Sequence, residues 1–385
     1  MMKMKILQVI QFFTPNKGGS VAVPYALSKE LTKRGHEVTI ITSDFEFDKE
    51  YARSIEKHGV NVIPFKCIIN IASFLYSPKI KEWLKENLDY FDIIHMHNYR
   101  TYQNNIVYYY AKKYDTPYII QAHGSLMEFY RKHTLKKFYD FFWGKNILND
   151  SSICISVNKK ESKQYLKMGI QKDKIRVLYN GINFLEYKNL PQRGLFKRKI
   201  NLLKHEKIIL FLGRIDKIKG LDLLIDAFAI LKNTLDNTKL IIVGPDSGFL
   251  PAIKKKIKKL NLEEHVLLLG PLYDSDKISI MVDSDVFVLP SIYETFPLTL
   301  IEACACEKPV IVSVNCDISH IVENRFGIVF EHNIDSLNKA LTLILSNEKL
   351  SLKFGKNGRE FAKRHFDWKR IVDDLEMIYT SLIRC

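Results

Sequence analysis

Long apolar runs are absent from this chain of 385 residues. No stretch of about 18 uncharged apolar residues occurs, which is the length that a membrane-spanning helix needs. The basic start leads into a short β-rich segment and lacks the hydrophobic core of a signal peptide. The sequence therefore predicts a soluble protein located in the cytoplasm.

Cysteine pairs are absent as well. The six cysteines are scattered along the chain without a CxxC pair and without the spacing of a zinc site. This distribution argues against both a disulfide framework and a structural metal. We expect reduced thiols, most of them buried.

Acidic residues are too few to balance the basic ones, with 43 Asp and Glu against 58 Lys and Arg and a net charge of +15. The excess lies mainly in residues 1–185, which hold 28 basic and 17 acidic side chains, against 30 and 26 in residues 186–385. Nucleic acid, anionic lipid and phosphorylated small molecules all suit such a charge. The sequence patterns of nucleic-acid-binding proteins are missing. We therefore expect phosphate ligands and a membrane surface as partners, and no nucleic acid.

What the sequence does contain is a repeated alternation of strands and helices. Residues 5–11 are β-rich and lead through a loop into an amphipathic stretch at 21–34 and a second apolar strand at 36–42. This unit predicts parallel strands joined by a right-handed crossover. Further units of this kind follow, so residues 1–185 are predicted to form a doubly wound α/β domain.

A basic, polar connector at residues 188–204 interrupts the alternation, which restarts with an apolar strand at 207–212. Residues 186–364 are therefore predicted to form a second doubly wound α/β domain. Ligands of such sheets bind at the carboxyl ends of the strands. We accordingly expect the site in a cleft between the two domains.

Two carboxylates stand eight positions apart, Glu294 in a predicted loop and Glu302 inside a helix that begins near Pro297. Along a helix this spacing covers about 10 Å. That distance is comparable to the separation of the two sugar rings of a nucleotide sugar whose diphosphate lies at the helix N-terminus. An isolated pair at this spacing is more often a charge at a helix start and a charge on a solvated face.

Together with its flanks up to residue 311, however, this segment resembles the sugar-nucleotide motif of the family 4 glycosyltransferases, which have the two-domain GT-B fold. The resemblance implies that Glu294 holds hydroxyls of the donor sugar and that Glu302 holds the ribose. Pro297 has no N–H to offer the donor. The backbone amides expected to contact the donor are those of Thr295, Phe296, Leu298 and Thr299.

Two glycine-containing loops also resemble the family. Residues 211–220 match its Gly-Arg loop, and the resemblance assigns Arg214 and Lys219 to the donor diphosphate, whose charge a guanidinium and an ammonium group can neutralise. Gly18 and Gly19 match the family's glycine pair, whose backbone amides approach the phosphates. Taken alone, such residues are more often solvated charges and ordinary turns.

Polar residues follow several strands of the first domain. The resemblance places His123 beside the transferred sugar. His97 and Asn98 belong to a His-rich segment and Asn180 to the end of the domain, and we consider all three as contacts to the acceptor or the cleft. His95 and His97 point the same way from a strand, but no nearby Asp or Glu completes a ligand set, so we expect no metal.

Other expectations concern positions outside these motifs. Asn158 and Glu161 could face the groove, although the start of a surface helix is the favoured interpretation. Glu307 stands where the family commonly has glycine, which we expect to be a tolerated loop change. The final segment, residues 365–385, is expected to form a helix that packs on the first domain, as it does in the family.

Residues 128–145 interleave seven aromatic side chains with five basic ones. This mixture suits an anionic membrane interface. Aromatic residues at helical spacing are also common in domain cores, so both interpretations stay open. The excess of positive charge in the same domain favours the membrane.

The resemblance implies a retaining glycosyltransferase that moves a sugar from a UDP- or GDP-activated donor to an acceptor hydroxyl, without metal or cofactor. We expect a cell-surface glycan or lipid-linked acceptor and peripheral contact with the inner face of the cytoplasmic membrane. Two alternatives remain, a sugar-nucleotide epimerase of the same fold and a non-catalytic basic binding module.

Overall fold

The computed structural model describes residues 3–71, 74–126 and 133–383. The chain folds as two compact units, of which unit 1 is Met1–Gly181 with Trp368–Cys385 and unit 2 is Ile182–Asp367. The sequence predicts the boundary after residue 185, whereas the chain leaves unit 1 at Gly181 and returns to it at Trp368.

Unit 1 is built around a parallel sheet. Its strands are β1 (Lys5–Val9), β2 (Glu37–Ser43), β3 (Asn61–Phe65), β4 (Ile69–Ile71), β5 (Phe74–Tyr76), β6 (Ile93–His97), β7 (Tyr118–Gln121), β8 (Ile153–Ser156) and β9 (Ile175–Val177). The parallel sheet has the order β3-β2-β1-β6-β7-β8-β9, and β4 and β5 form a separate antiparallel hairpin. The central strands β6, β7 and β8 are wholly buried, as is typical of parallel sheets covered on both faces.

Helices connect these strands. They are α1 (Gly19–Lys33), α2 (Lys49–Glu56), α3 (Lys79–Asn87), α4 (Tyr102–Tyr114), α5 (His133–Tyr139), α6 (Lys145–Asn149) and α7 (Lys159–Lys167). A π-helical turn, Asp140–Gly144, joins α5 to α6. Such turns frequently occur at functional sites.

Unit 2 is a second parallel sheet, with strands β10 (Lys207–Leu212), β11 (Thr238–Val243), β12 (Val266–Gly270), β13 (Val286–Leu289), β14 (Val310–Ser313) and β15 (Gly327–Phe330). The order is β12-β11-β10-β13-β14-β15. Its helices are α8 (Leu195–Lys199), α9 (Leu221–Lys232), α10 (Leu250–Lys259), α11 (Asp274–Asp283), α12 (Leu298–Ala305), α13 (Ser319–Val322), α14 (Ile334–Ser346) and α15 (Glu348–His365). The predicted pair of doubly wound α/β folds is confirmed.

Both sheets reverse their strand order at one point. In unit 1 the reversal lies between β1 and β6, and in unit 2 it lies between β10 and β13. Crevices at the carboxyl ends of the strands on either side of such a reversal are the usual ligand sites of this architecture. Four of the motif segments lie at the ends of these strands, whereas His123 follows β7 and Asn180 follows β9.

The last helix, α16 (Trp368–Ile383), belongs to unit 1 and packs against α1. Glu376 anchors it, because this buried carboxylate accepts hydrogen bonds from Arg34 at 2.5 Å and from Nε2 of His36 at 2.7 Å. The Nδ1 atom of His36 accepts the Met4 amide at 3.1 Å, so the proton of the neutral ring is on Nε2.

No helix of the described ranges is both long and apolar enough to cross a membrane. Cys67, Cys154, Cys304, Cys306 and Cys316 are all free thiols, and all but Cys67 are buried. Burial raises the pKa of Cys154 to about 12, so this thiol is inert at neutral pH.

Candidate active site

The two loops that follow β10 and β13 in unit 2 are joined by an ion pair between Lys219 and Glu294. The ammonium group of Lys219 donates a hydrogen bond to Oε2 of Glu294, and the two side chains are only 16% and 15% exposed. The backbone N–H of Ile292 also donates to the carbonyl of Ile218 at 2.8 Å. The structure therefore brings together two residues that the sequence separates by 75 positions.

Gly220 permits this close approach of the two loops. Its φ of +67° lies in the left-handed region, and a Cβ atom there would lie 2.0 Å from the carbonyl oxygen of Pro290. Any side chain would push the loops apart. The glycine that ends the Gly-Arg loop thus keeps Lys219 in reach of Glu294.

The second carboxylate of the motif is held by a residue that the sequence did not indicate. Lys277 of α11 donates to Oε1 of Glu302 at 2.9 Å. Burial acts to lower the pKa of Lys277, but the charge of Glu302 outweighs it and raises the pKa. Tyr187 lies beside the same carboxylate, and burial together with that negative charge raises the pKa of the Tyr187 hydroxyl.

The stretch between the two carboxylates turns from loop to helix. Pro297 is the N-cap residue of α12, which begins at Leu298, one position later than predicted. Leu298 and Thr299 are the first two residues of the helix and are half-buried, so their backbone N–H groups lack partners within the helix. This is the arrangement that binds anions at helix N-termini.

The remaining motif residues of unit 2 differ in exposure. Arg214 is exposed directly after β10. Thr295 is half-buried and donates its hydroxyl proton to the Tyr293 hydroxyl at 3.1 Å. Phe296 is buried against Phe366, with ring centroids 5.5 Å apart, so its side chain serves packing.

In unit 1 the glycine pair stands at the start of α1. Gly18 is the N-cap residue, and its φ of +66° favours glycine. Gly19 is the first helical residue, and a Cβ atom there would meet nothing within 4 Å. The first turn contains no acidic residue. The N-terminus of this 15-residue helix is thus open and favourable for a negatively charged group.

His123 follows β7 and belongs to a stack of three histidine rings. The ring of His97 is stacked on His95 at 4.1 Å and on His123 at 5.2 Å between centroids. Burial lowers the pKa of His95 and of His123 to about 3 and that of His97 well below its usual value. All three rings are therefore neutral at physiological pH.

The structure corrects the assignment of His97 as an acceptor or cleft contact. The side chain of His97 is completely buried. Both of its ring nitrogens are engaged in hydrogen bonds, one with His123 and one with Gln8. Asn98 is half-buried with a φ of +65°, and its side chain is still a candidate contact. Asn180 is 5% exposed, and within the described residues its Oδ1 atom has no hydrogen-bond partner.

Neither the imidazole stack nor another cluster in the described part of the chain groups three His, Cys, Asp or Glu side chains that could hold a metal. The two outer rings of the stack each have a nitrogen within hydrogen-bond distance of a neighbouring side chain. His95 Nδ1 lies 2.8 Å from the Tyr379 hydroxyl, and His123 Nε2 lies 2.9 Å from His97.

The interpretation of Asn158 and Glu161 as the start of a surface helix was wrong in its placement. Asn158 does cap α7, because its side chain accepts the amides of Lys160 and Glu161 at 2.8 Å. Both Asn158 and Glu161 are, however, completely buried. The carboxylate of Glu161 accepts the backbone N–H groups of Gly124 at 2.6 Å and Val157 at 2.7 Å. Glu161 therefore fixes the loop that carries His123.

Arg100 and Asp140, which no sequence motif indicated, support the other side of the same loop. Arg100 forms a bidentate ion pair with Asp140 at 2.9 and 2.7 Å. Another N–H of its guanidinium group donates to the carbonyl of Ser125 at 2.7 Å. Asp140 opens the π-helical turn, so this pair joins the His123 loop to the aromatic stretch.

Within the described part of the aromatic stretch, most of the aromatic side chains are exposed on the surface of unit 1. Residues 128–132 lie outside the described residues. The exposed side chains among the rest are Phe138 (63%), Phe141 (75%), Phe142 (50%) and Trp143 (52%). Tyr139 instead packs on Tyr99 and hydrogen-bonds Asn105. The core interpretation thus fits Tyr139, and the surface interpretation fits its four aromatic neighbours.

Glu307 adopts the backbone conformation that explains the usual glycine. It follows α12 with a φ of +58°, which is the left-handed conformation common after a helix C-terminus. Arg359 of α15 donates to the carbonyl oxygens of Ala305 and, at 2.7 Å, Tyr187. The turn is therefore kept despite the larger side chain.

Comparison with known proteins agrees with these arrangements. Residues 17–184 match the family model described as Glycosyltransferase Family 4, and residues 192–361 match Glycosyl transferases group 1. An uncharacterized glycosyltransferase of Methanocaldococcus jannaschii is 30% identical over 384 residues, covering 99% of each chain. The N-acetyl-alpha-D-glucosaminyl L-malate synthase of Bacillus anthracis is 27% identical over 387 residues, covering 96% of each chain.

The fold also matches a solved structure. The crystal structure of Anabaena Alr3699/HepE in complex with UDP and glucose superposes with a TM-score of 0.83 at 19% identity, covering 98% of this chain and 100% of that chain. At this identity the likeness shows the fold, and the sequence matches show the family. The chain belongs to family 4 of the glycosyltransferases and has their GT-B fold.

Proposed function

We propose that the protein is a retaining glycosyltransferase that takes a sugar from a UDP- or GDP-activated donor and transfers it to an acceptor hydroxyl. The observation that carries the donor half is the pairing of each motif carboxylate with a lysine, Glu294 with Lys219 and Glu302 with Lys277. These pairs stand at opposite ends of a segment whose centre is a helix N-terminus. Anabaena HepE, of the same fold, has been crystallised with UDP and glucose.

Each group has a defined task in this proposal. Glu294 holds hydroxyls of the donor sugar, and Glu302 holds the ribose. The diphosphate lies at the start of α12, where Arg214 and Lys219 supply positive charge as the leaving group departs. Because these two side chains supply that charge, the transfer proceeds without a metal ion.

Retention of the anomeric configuration requires either a protein nucleophile or attack from the face that the leaving group vacates. Among the carboxylates around His123 that the structure describes, Glu161 is buried with both oxygens accepting backbone N–H groups, and Asp140 is paired with Arg100. Neither carboxylate is available as a nucleophile. This supports the second route, in which the departing phosphate takes the proton of the acceptor hydroxyl.

The relatives differ in their acceptors, and one is named for L-malate. The surface of unit 1 therefore supports the proposal for the acceptor of this protein. We define the apolar patch as the exposed residues of two segments: Ile68, Ile69, Ile71 and Tyr76 at the β4–β5 hairpin, and Phe138, Phe141, Phe142 and Trp143 at the π-helical turn. Both segments contact the first turn of α4. Tyr102 lies 4.9 Å from Tyr76 between ring centroids, and Asn105 accepts a hydrogen bond from Tyr139.

The charged residues within the two segments of the apolar patch are mostly basic. The basic residues in these segments are Lys66, Lys79, Lys81, Lys136, Lys137 and Lys145. Residues 66–81 contain no acid, and Asp140, the acid among residues 133–145, is buried and paired with Arg100. Exposed apolar side chains in segments that also carry several lysines suit the interface of an anionic membrane. We therefore propose peripheral membrane contact and a lipid-linked glycan acceptor.

The test of the transfer reaction is a hydrolysis screen of the full-length protein with UDP-, GDP- and ADP-sugars. Slow release of the sugar from one donor is expected, because water replaces the missing acceptor. A silent panel would contradict the proposal. Proton NMR of the same mixtures separates the epimerase alternative, which would produce a second UDP-sugar without releasing free sugar.

A further inference from the structure

The ring of His97 lies between two hydrogen-bonding groups of unit 1. Its Nε2 atom is 2.5 Å from Oε1 of Gln8 on β1, and its Nδ1 atom is 2.9 Å from Nε2 of His123 after β7. Gln8 and His97 are both completely buried. The three side chains form a continuous chain of hydrogen bonds that ends at the residue assigned to the transferred sugar.

The direction of this chain follows from the chemistry of its members. A neutral imidazole carries one N–H donor and one bare nitrogen, and an amide oxygen only accepts. The Nε2 atom of His97 must therefore donate to Gln8, which leaves Nδ1 as an acceptor. The Nε2 atom of His123 must then donate to it, and Nδ1 of His123 carries no proton.

Behind His97 lie two further buried side chains, Gln8 and His95. Tyr379 of α16 lies 2.8 Å from Nδ1 of His95. Burial raises the pKa of the Tyr379 hydroxyl. The amide oxygen of Gln8 faces His97, and the amide nitrogen is buried without a hydrogen-bond partner among the described residues.

The ionisable groups packed around His123 leave it neutral. His97 and His95 of β6 face it from one side, with Tyr379 behind them, and the Glu161 carboxylate accepts the amide of the adjacent Gly124. Burial is the cause that lowers the pKa of His123 to about 3. The ring therefore cannot accept a proton at the pH of the cell.

We propose that Gln8 and His97 are positioning residues that fix one tautomer of His123, with its proton on Nε2 and directed at His97, so that His123 does not act as a proton donor in the reaction. The placement of His123 beside the sugar rests on the proposed function, whereas its tautomer does not. The inference sharpens the transfer step, because the leaving phosphate then receives no proton from His123.

The direct test is long-range proton–nitrogen NMR of the histidine rings in the full-length protein at neutral pH without ligand. Both His97 and His123 are expected as neutral rings protonated on Nε2. A ring protonated on Nδ1, or a charged ring, at either position would overturn the proposal. This measurement needs no substrate, so its outcome is separate from that of the donor screen.

A variant tests whether Gln8 sets the tautomer. Gln8→Met keeps the volume of the side chain but removes the acceptor, so His123 is expected to lose its single tautomer, with about a fivefold rise in the donor KM for one lost hydrogen bond. Ile6→Val, on the same strand and equally buried, is the matched control and should change neither. An unchanged His123 tautomer in Gln8→Met would remove Gln8 from the proposal.

The pH profile of the reaction tests the catalytic consequence. The rate is measured against pH with the donor found in the screen. Any change of rate between about pH 5 and 8 in the parent protein should be retained in His123→Gln. A change that is lost in His123→Gln would show that His123 does exchange a proton during turnover.

Discussion

The ammonium group of Lys277 lies 2.9 Å from Oε1 of Glu302, and 25 positions of sequence separate the two residues. Lys277 is on α11 and Glu302 is on α12, and their side chains are 25% and 14% exposed. A half-buried carboxylate that is hydrogen-bonded to a fixed cation is held in one orientation. We infer that Lys277 prepares Glu302 for the ribose of the donor.

Lys277→Met should weaken binding of the free nucleotide. The variant leaves the carboxylate of Glu302 without its cation and free to rotate, so an affinity loss of about five- to tenfold is expected, equivalent to about 1–1.4 kcal/mol. Isothermal titration calorimetry with UDP and GDP measures it.

The matched control is Lys256→Met, which breaks the Lys256–Asp226 ion pair elsewhere in unit 2, at 2.5 Å. Equal affinities of Lys277→Met and the parent protein would show that Lys277 is only a surface partner of Glu302.

Glu307→Gly should stabilise the protein. A left-handed conformation costs a residue with a side chain about 1 kcal/mol, and the contact that would be lost, to Arg359 at 3.7 Å, is half-exposed and contributes little. A rise of about 1 kcal/mol in the free energy of unfolding is expected from denaturant titration.

Glu307→Ala supplies the comparison, since alanine removes the same contact but keeps the strained backbone. A stabilised alanine variant, or a destabilised glycine variant, would contradict this explanation of Glu307.

The buried histidine stack should make unit 1 sensitive to acid. Burial lowers the pKa of His123 in the folded protein to about 3, below the usual value of 6.5. Between these two pH values His123 is protonated in the unfolded chain but not in the folded protein. The stabilisation is complete above about pH 6.5 and is lost as the pH falls toward 3, at up to about 1.4 kcal/mol per pH unit for each ring.

Urea titrations at about pH 7 and pH 5 measure this loss. The His123→Gln variant should lose less stability between the two pH values than the parent protein does. His320→Gln, at an exposed position in unit 2, should behave as the parent. An equal loss in His123→Gln would mean that His123 is not held neutral by burial.

The apolar patch should bind anionic vesicles and ignore zwitterionic ones. Trp143 is 52% exposed whereas Trp368 is 8% exposed, so vesicle binding should shift the fluorescence emission to shorter wavelength, and Trp143→Phe should abolish most of that shift. Added salt should weaken binding, because the lysines act through screened charges.

Ile71→Glu should reduce vesicle affinity about tenfold or more, since burial of one isoleucine contributes about 1.5–3 kcal/mol and the new charge is repelled. Ile71 is 68% exposed, and Leu352→Glu at a 57% exposed site on α15 of unit 2 is the matched control. Equal losses in both variants, or binding that is indifferent to lipid charge, would contradict the membrane proposal.

The doubly wound fold of each unit could be predicted from the alternation of apolar runs in the sequence. The sequence also indicated which motif residues come directly after a strand. Lys277 could not be predicted, because its pairing with Glu302 joins two different helices, α11 and α12, and depends on the tertiary fold. Glu161 was misplaced because Asn158 looks like the cap of a surface helix. The buried carboxylate of Glu161 accepts the Gly124 amide, which belongs to a loop 37 positions away. No local sequence pattern predicts such a contact.

The proposed function depends most directly on Glu294. With the donor identified in the screen, Glu294→Gln should reduce release of the sugar by about a hundredfold or more. The glutamine keeps the shape of the side chain but lacks the negative charge that binds the sugar hydroxyls and pairs with Lys219. Glu331→Gln, at an exposed position in the same unit, should retain the parent rate. Sugar release by Glu294→Gln at the rate of Glu331→Gln would contradict the assignment of this segment as the donor site.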